Sequence, residues 1–270
     1  MIVMSCNIRY SRAPDGENAW PPRRELALRT ILSRGPDVVC LQEVTDEQFA
    51  WLAPRMTGYS SVATIDTPAG ADPVNTIFYR HDLLRPTSVG AYWLSRTPHV
   101  AGTRSWASDC VRLVTWARLV SGGAGKGNGA GPETASPREV RIVNTHLDHI
   151  SQRARVHQAR MIAQDCAAYP PAYPQVLTGD FNCDRRNPAV KTLLRSGFRD
   201  TYEAVHGTAD PFGTYHGFEG RDHRGGVGKM DWVMTRGGWT VRAAEIVTDS
   251  ENGRYPSDHF FVLADIEPVT

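Results

Sequence analysis

The chain has 270 residues, 41% hydrophobic and 22% charged, with a formal net charge of +1. That composition excludes disordered, collagen-like and coiled-coil chains and leaves room for a sizeable buried core. A near-zero charge also argues against a broad basic groove gripping many phosphates. The 30 basic residues divide into 27 Arg and 3 Lys, a bias that reads first as codon usage.

Strand-like and helix-like segments alternate along the chain. Ile2–Ile8 is a strand candidate. Pro21-Pro22 opens a helix that runs to about Ser33 and stops at Gly35-Pro36. Val38–Gln42 is a short apolar run, hence a buried strand. Val111–Leu119 alternates with a period of two, and Val140–Asn144 reads as its neighbour. Between them Ser121–Pro137 is rich in Gly, Ala and Ser; this reads as a flexible hairpin loop at about 121–137 rather than a domain linker. Gln152–Ala168 places Val156, Ala159, Ala163 and Cys166 on one helical face. Val176–Thr178 is a strand, and Asn187-Pro188 caps a helix that ends at Gly197. Met230–Met234, Val241–Val247 and Phe260–Ile266 close the set. Many strands with a few helices predict a layered α/β or α+β fold in a single domain, 1–270.

The five Cys (6, 40, 110, 166 and 183) show no CxxC spacing and form neither a disulfide framework nor a zinc motif; Cys6, Cys40 and Cys166 read as core hydrophobes. No run reaches the roughly 20 apolar residues of a membrane span. Met1–Tyr10 reads as a strand rather than a signal peptide. The cytoplasm is the default compartment, with secretion the alternative if a leader has been removed, and the chain is expected as a monomer.

The polar residues that stand out sit at strand ends. Asn7 closes MSCNIRY, Glu43 follows the apolar run in CLQEV, and Asn144, His146 and Asp148 end a strand in NTHLDH. Asp180 and Asn182 follow VLT in GDFN, Asp231 lies inside MDWVM, and Asp258 and His259 precede the last strand in SDHF. Each alone fits a turn or a cap. Asp231 fits neither: an acid within an apolar strand needs a partner, and His259 is the obvious one. Together, Glu43, Asp180 and Asp258 are hard oxygen ligands suited to Mg²⁺ or Mn²⁺, with Asn7 and Asn182 adding neutral oxygens or amide donors. A carboxylate-held cation commonly serves a phosphoester. His146 is expected to bring positive charge to the phosphate, and Asp180 or His259 to position and deprotonate the attacking water.

At these residues the chain resembles the endonuclease/exonuclease/phosphatase superfamily. GDFN at 179–182 and SDH at 257–259 are its specific motifs, and all six blocks occur in family order. The resemblance implies a four-layer α/β/β/α sandwich of two mixed sheets flanked by helices, with the active site at one edge of the sheets. It assigns Asn7, Glu43 and Asp258 to the metal site, Glu43 being the principal ligand. It assigns His146 to phosphate contact, and Asp180 and Asn182 to the water and the phosphate. Asp231 becomes the acid paired with His259, the usual candidate base. Position 9 is Arg, where abasic-site endonucleases carry a second acid. The segment AYWLSRTP (91–98), with Trp106 and Arg112, looks like a bacterial branch of poorly defined substrate. Arg112 is expected to reach a phosphate, and Trp93, Trp106, His216 and Phe218 are candidates for a platform under a base or sugar, with core packing as the alternative. The expected function is divalent-metal-dependent hydrolysis of a small or flexible phosphoester; the alternative is an endo- or exonuclease on DNA or RNA. A non-catalytic binding module is disfavoured because no member of the catalytic set is missing.

Overall fold

The computed structural model describes residues 1–68, 70–122, 139–207, 212–225 and 227–269. In chain order the elements are β1 (Ile2–Asn7), α1 (Trp20–Leu32), β2 (Val38–Gln42), α2 (Asp46–Leu52), β3 (Tyr59–Val62), β4 (Ile77–Arg80), β5 (Leu84–Trp93), β6 (Leu113–Ser121), β7 (Glu139–His146), α3 (Gln152–Ala167), β8 (Gln175–Asp180), α4 (Pro188–Arg195), β9 (Arg199–Asp200), α5 (Thr201–His206), β10 (Asp231–Arg236), β11 (Trp239–Val247) and β12 (Phe261–Pro268). Most of the predicted 121–137 loop lies outside the described residues. No helix among them is long and apolar enough to cross a membrane.

The strands form two six-stranded sheets, ordered β11-β12-β1-β2-β4-β3 and β5-β6-β7-β8-β10-β9. Each holds one parallel pair, β1 with β2 and β7 with β8, and is otherwise antiparallel. A parallel pair needs a crossover, and α1 and α3 supply the two. The alternation of side chains along the central strands then explains the layers. Val3, Val38 and Cys40 point inward to meet Ile142, Val176 and Val233 of the other sheet. Met4, Cys6, Val39 and Leu41 point outward onto Ala27, Leu28 and Ile31 of α1. Val143, Leu177 and Met234 face outward on the second sheet, under Ala159, Ile162 and Cys166 of α3 and Val190 and Leu193 of α4. The result is the expected helix–sheet–sheet–helix sandwich.

The helix ends follow local chemistry. Pro21-Pro22 occupy the first turn of α1. Asn187 caps α4 by accepting the Ala189 N–H, and Thr45 with Gln48 forms a capping box on α2.

The two sheets are also locked by polar bonds beneath the edge where the parallel strands end. Gln42 Nε2 donates to Asn144 Oδ1 at 2.8 Å, and Asn144 Nδ2 donates to the Leu41 carbonyl at 2.8 Å. Asn144, singled out as a strand-end residue, therefore joins the sheets instead of facing solvent.

Candidate active site

Because β1, β2, β7 and β8 all end at one edge of the sandwich, Asn7, Glu43, His146 and Asp180 converge there from two sheets. Ligands commonly lie at the carboxyl ends of parallel strands. The antiparallel register of β10 on β8 places Asp231 opposite Asp180, and the turn before β12 brings Asp258 and His259. The edge opens as a cleft of about 630 Å³ walled by Glu43, His146, Asp180, Asn182, Asp258 and His259, with Arg9, Tyr10 and Arg112 among the outer residues. The backbone bends sharply to aim these groups: Arg9, Glu43 and Asn182 have φ of 53°, 63° and 51°, a region uncommon for residues other than glycine.

Asn7 Nδ2 donates to Glu43 Oε1 at 3.1 Å and to Asp180 Oδ2 at 3.0 Å. Glu43 Oε2 accepts the Tyr10 N–H at 3.0 Å, and Asp180 Oδ1 accepts the Asn182 N–H at 2.8 Å. Asp231 is fully buried and its Oδ2 lies 2.9 Å from His259 Nδ1. Burial works against charge on His259, but Asp231 and Asp180 outweigh it and hold the ring protonated well above its ordinary range. Burial and the neighbouring Asp231 raise the Asp180 carboxyl, and burial raises Asp258.

His146 differs from the sequence expectation. Burial, with Arg112 nearby, pushes its pKa well below the ordinary value. Asn182 Nδ2 lies 3.0 Å from the Leu147 carbonyl, which fixes the amide as a donor, and it donates to His146 Nε2 at 2.8 Å. The ring is therefore neutral and offers a lone pair, not a positive charge.

These donors fit a hard divalent cation. Glu43 and Asp180 offer carboxylate oxygens, and His146 Nε2 lies 3.3 Å from Asp180 Oδ2; the three fall within 4.8 Å of one another, with His146 able to ligate only by giving up the Asn182 hydrogen bond. Raised, buried carboxyls crowded against acceptors are short of positive charge, which a cation supplies.

The remaining predicted residues separate. Arg112 lines the cleft, its Nη2 3.4 Å from His149 Nδ1. Trp93 is not a cleft wall: its indole N–H donates to the Asp66 carbonyl at 2.6 Å and pins that loop. His216 is buried behind the site, tilted onto Phe260 at 4.0 Å, and burial lowers its pKa to about 3. Its backbone N–H donates to the Asp258 carbonyl at 2.8 Å, so it supports a site residue without facing the cleft. Trp106 stacks on His157 at 4.7 Å, and Phe218 lies 5.7 Å from the Arg23 guanidinium; neither lines the cleft. The aromatic platform is thus not assembled from these four.

Sequence reasoning missed Arg12, Asp66 and Asp72 in the outer cleft wall. It also missed Arg23, fully buried in α1, which donates to the carbonyls of Ile8, Arg9, Asn18 and Pro256 at 2.7–3.0 Å. Arg23 thereby ties the segment after Asn7 to the segment before Asp258.

Comparison with known proteins agrees with this geometry. An endonuclease/exonuclease/phosphatase from Bacteroides vulgatus superposes with a TM-score of 0.86 at 26% identity, covering 99% of this chain and 98% of that one. A mannosyl-6-phosphatase from Bacteroides thetaiotaomicron shares the fold at a TM-score of 0.83 and 22% identity, covering 99% of each chain. Nocturnin of Drosophila melanogaster is 25% identical over 205 residues, a stretch that spans 70% of this chain and 28% of that protein. The family model for the Endonuclease/Exonuclease/phosphatase family matches residues 4–259, and the chain belongs to that family of phosphoester hydrolases.

Proposed function

We propose that this hydrolase uses a divalent cation, Mg²⁺ or Mn²⁺, to cleave a small or flexible phosphoester by attack of water on phosphorus. The observation that carries the reading is the convergence, at one sheet edge, of an Asp231–His259 pair, a raised Asp180 carboxyl and the Glu43–His146–Asp180 ligand set. Glu43 would hold the metal, with Asn7 and Asp258 beside it. When bound, the cation polarises the phosphoryl oxygen and neutralises charge on the leaving oxygen. Asp180 orients the water and accepts its proton, its Oδ1 held by the Asn182 N–H and its Oδ2 by Asn7 Nδ2. His259, kept protonated and oriented by Asp231, offers its Nε2–H to the phosphoryl oxygens. Asn182 keeps His146 in place, and Arg112 reaches the phosphate from the cleft wall.

The wall also bears on substrate size. Asp66, Asp72 and Asp109 stand beside the site, and Arg12 is paired with Asp46 and Asp72. A long polyanion would meet these carboxylates; a small ester with hydroxyl groups would not. A sugar phosphate suits that wall, as the likeness to a mannosyl-6-phosphatase also favours. The test is a screen of the purified protein, with Mg²⁺ and with Mn²⁺, against sugar phosphates, inositol phosphates, aryl phosphodiesters, sphingomyelin and short DNA and RNA. Turnover of small esters with a salt-insensitive KM is the expected result. The nuclease reading wins if short nucleic acids are the best substrates and binding falls about 10³-fold between 50 and 200 mM salt, as six or more phosphate contacts require. Absence of hydrolysis across the whole screen would overturn both.

A further inference from the structure

A second cluster of metal-ligating side chains lies on the wall of the same cleft, apart from the hard-cation residues. Asp109, Cys110 and His149 all line it and offer ligand atoms within 4.8 Å of one another. Asp109 Oδ2 is 3.6 Å from Cys110 Sγ and 3.7 Å from His149 Nε2. Tetrahedral zinc with ordinary bond lengths sets these edges at about 3.6 Å for S···O and about 3.4 Å for O···N. Both edges that meet at Asp109 are therefore within a few tenths of an ångström of zinc geometry, and the Cys110–His149 edge closes within 4.8 Å.

The residues are also held in place. The buried Asp148 carboxylate accepts Ser108 Oγ–H at 2.7 Å and the Asp109 N–H at 2.8 Å, which fixes the strand of chain carrying Asp109 and Cys110. His149 is the next residue in the backbone, so one carboxylate orders both arms. Among the five cysteines, Cys110 alone is not buried. The absence of CxxC spacing gave no hint of this, because the fold rather than the sequence brings the donors together.

We propose that Asp109, Cys110 and His149 form a zinc site, with the fourth position open to the cleft. A thiol, an imidazole and one carboxylate make a set that favours zinc over magnesium. Binding forms a Zn–S bond as the Cys110 S–H proton leaves to solvent, and coordinate bonds to His149 Nε2 and Asp109 Oδ2. Zinc on Nε2 leaves the ring proton on Nδ1. The 3.4 Å contact from Arg112 to Nδ1 needs that lone pair, so loading the site releases Arg112.

The test uses the full chain titrated with CoCl₂, following the near-ultraviolet thiolate-to-cobalt charge-transfer band, then with ZnCl₂ as competitor. The proposal expects a band that saturates at one equivalent, is removed by one equivalent of zinc and persists in excess Mg²⁺. Cys110→Ser should abolish the band while its circular dichroism and basal hydrolysis stay those of the wild type. His149→Gln should keep the band but weaken cobalt binding at least tenfold. Glu43→Gln should leave the band unchanged. No band in the wild type, a band that survives in Cys110→Ser, or one lost in Glu43→Gln would overturn the proposal.

Discussion

Arg23 is a buried cation whose four hydrogen bonds all go to main-chain carbonyls. Burial lowers its pKa to about 10, with Asp258 and Asp15 opposing, so it stays charged at neutral pH. Replacing it with Met keeps much of the volume over Trp20 and removes every donor. The Arg9 carbonyl still receives Gln48 Nε2 at 2.8 Å, whereas the carbonyls of Ile8, Asn18 and Pro256 lose the Arg23 bond. An orphaned buried acceptor costs about 1–3 kcal/mol, and the two buried ones, Ile8 and Pro256, give about 2–6, with Asn18 open to water. Several kcal/mol return because no charge is then buried. The net expectation is a loss of about 1–4 kcal/mol, below the usual 5–15 kcal/mol total, so Arg23→Met should still fold. The second effect is on the site. The segments after Asn7 and before Asp258 would no longer be tied, and Mn²⁺ affinity should fall about 10–100-fold, the scale of lost supporting contacts around a metal. Denaturant unfolding gives the first number and Mn²⁺ calorimetry the second, with Arg23→Lys as the control that keeps charge but loses the fork. A loss under about 1 kcal/mol with unchanged Mn²⁺ binding would refute the tie.

Three further outcomes check the site and its frame. Glu43→Gln should reduce Mn²⁺ affinity by at least about 100-fold, more than a supporting contact does, without lowering thermal stability; calorimetry showing wild-type affinity would remove Glu43 from the metal site. Asp231→Asn should lower kcat by up to about 10⁴-fold, the effect of neutralising an acid that orients a catalytic histidine, with KM little changed; single-turnover rates at saturating substrate test this, and a loss under tenfold would break the pairing argument. Gly179→Ala should cost about 3 kcal/mol or more, because φ is +150° and an added Cβ would lie 2.1 Å from the Thr145 carbonyl oxygen of the adjacent strand. A melting temperature lowered by roughly 6–10 °C is expected, and an unchanged one would mean that β7 and β8 can part at no cost.

The legible parts of the sequence were those where burial leaves a pattern. β1, β2, β7 and β8 are almost wholly buried and β12 is buried over its first half, so they read as apolar runs. The first turns of α1 and α4 carry prolines and a cap. β5 was not legible, since it carries Pro86 and Gly90, has only its Leu84 and Tyr92 buried and breaks register between Pro86 and Ser88. β3 and β4 are four residues each and leave no period to count. α2 went unread although Thr45 and Gln48 form its capping box, because it is only seven residues long. At the site, side chains at the ends of buried strands were found because such strands have few places for a polar group. Residues delivered by loops, Asp66 and Asp72 among them, carry no such signature. Arg23 and Arg24 are neighbours of one type in Pro-Pro-Arg-Arg, and only packing tells the buried one from its half-buried neighbour. Trp93 and His216 failed as a platform for a related reason: an aromatic beside a motif can face the ligand or brace the loop behind it, and these brace.

The same geometry resolves the opposition between a nearly neutral chain and phosphate chemistry. Three of the residues at strand ends, Arg9, Glu43 and Asn182, adopt left-handed backbone, which a side chain other than glycine enters at a cost of about 1–3 kcal/mol. Such bends persist only where the surroundings over-determine them, and here the parallel β1–β2 register, the Gln42–Asn144 bridge and Arg23 do so. The bends gather Glu43, Asp180 and Asp258 into one cleft that also holds Asp66, Asp72 and Asp109, against Arg9, Arg12 and Arg112. Local charge is therefore acidic although the chain is not. An anionic ester can approach such a cleft only where cationic charge is concentrated, at the hard-cation ligands and beside Arg112. Six acids against three arginines set the wall against a second run of phosphates, which is the ground for the small ester proposed above.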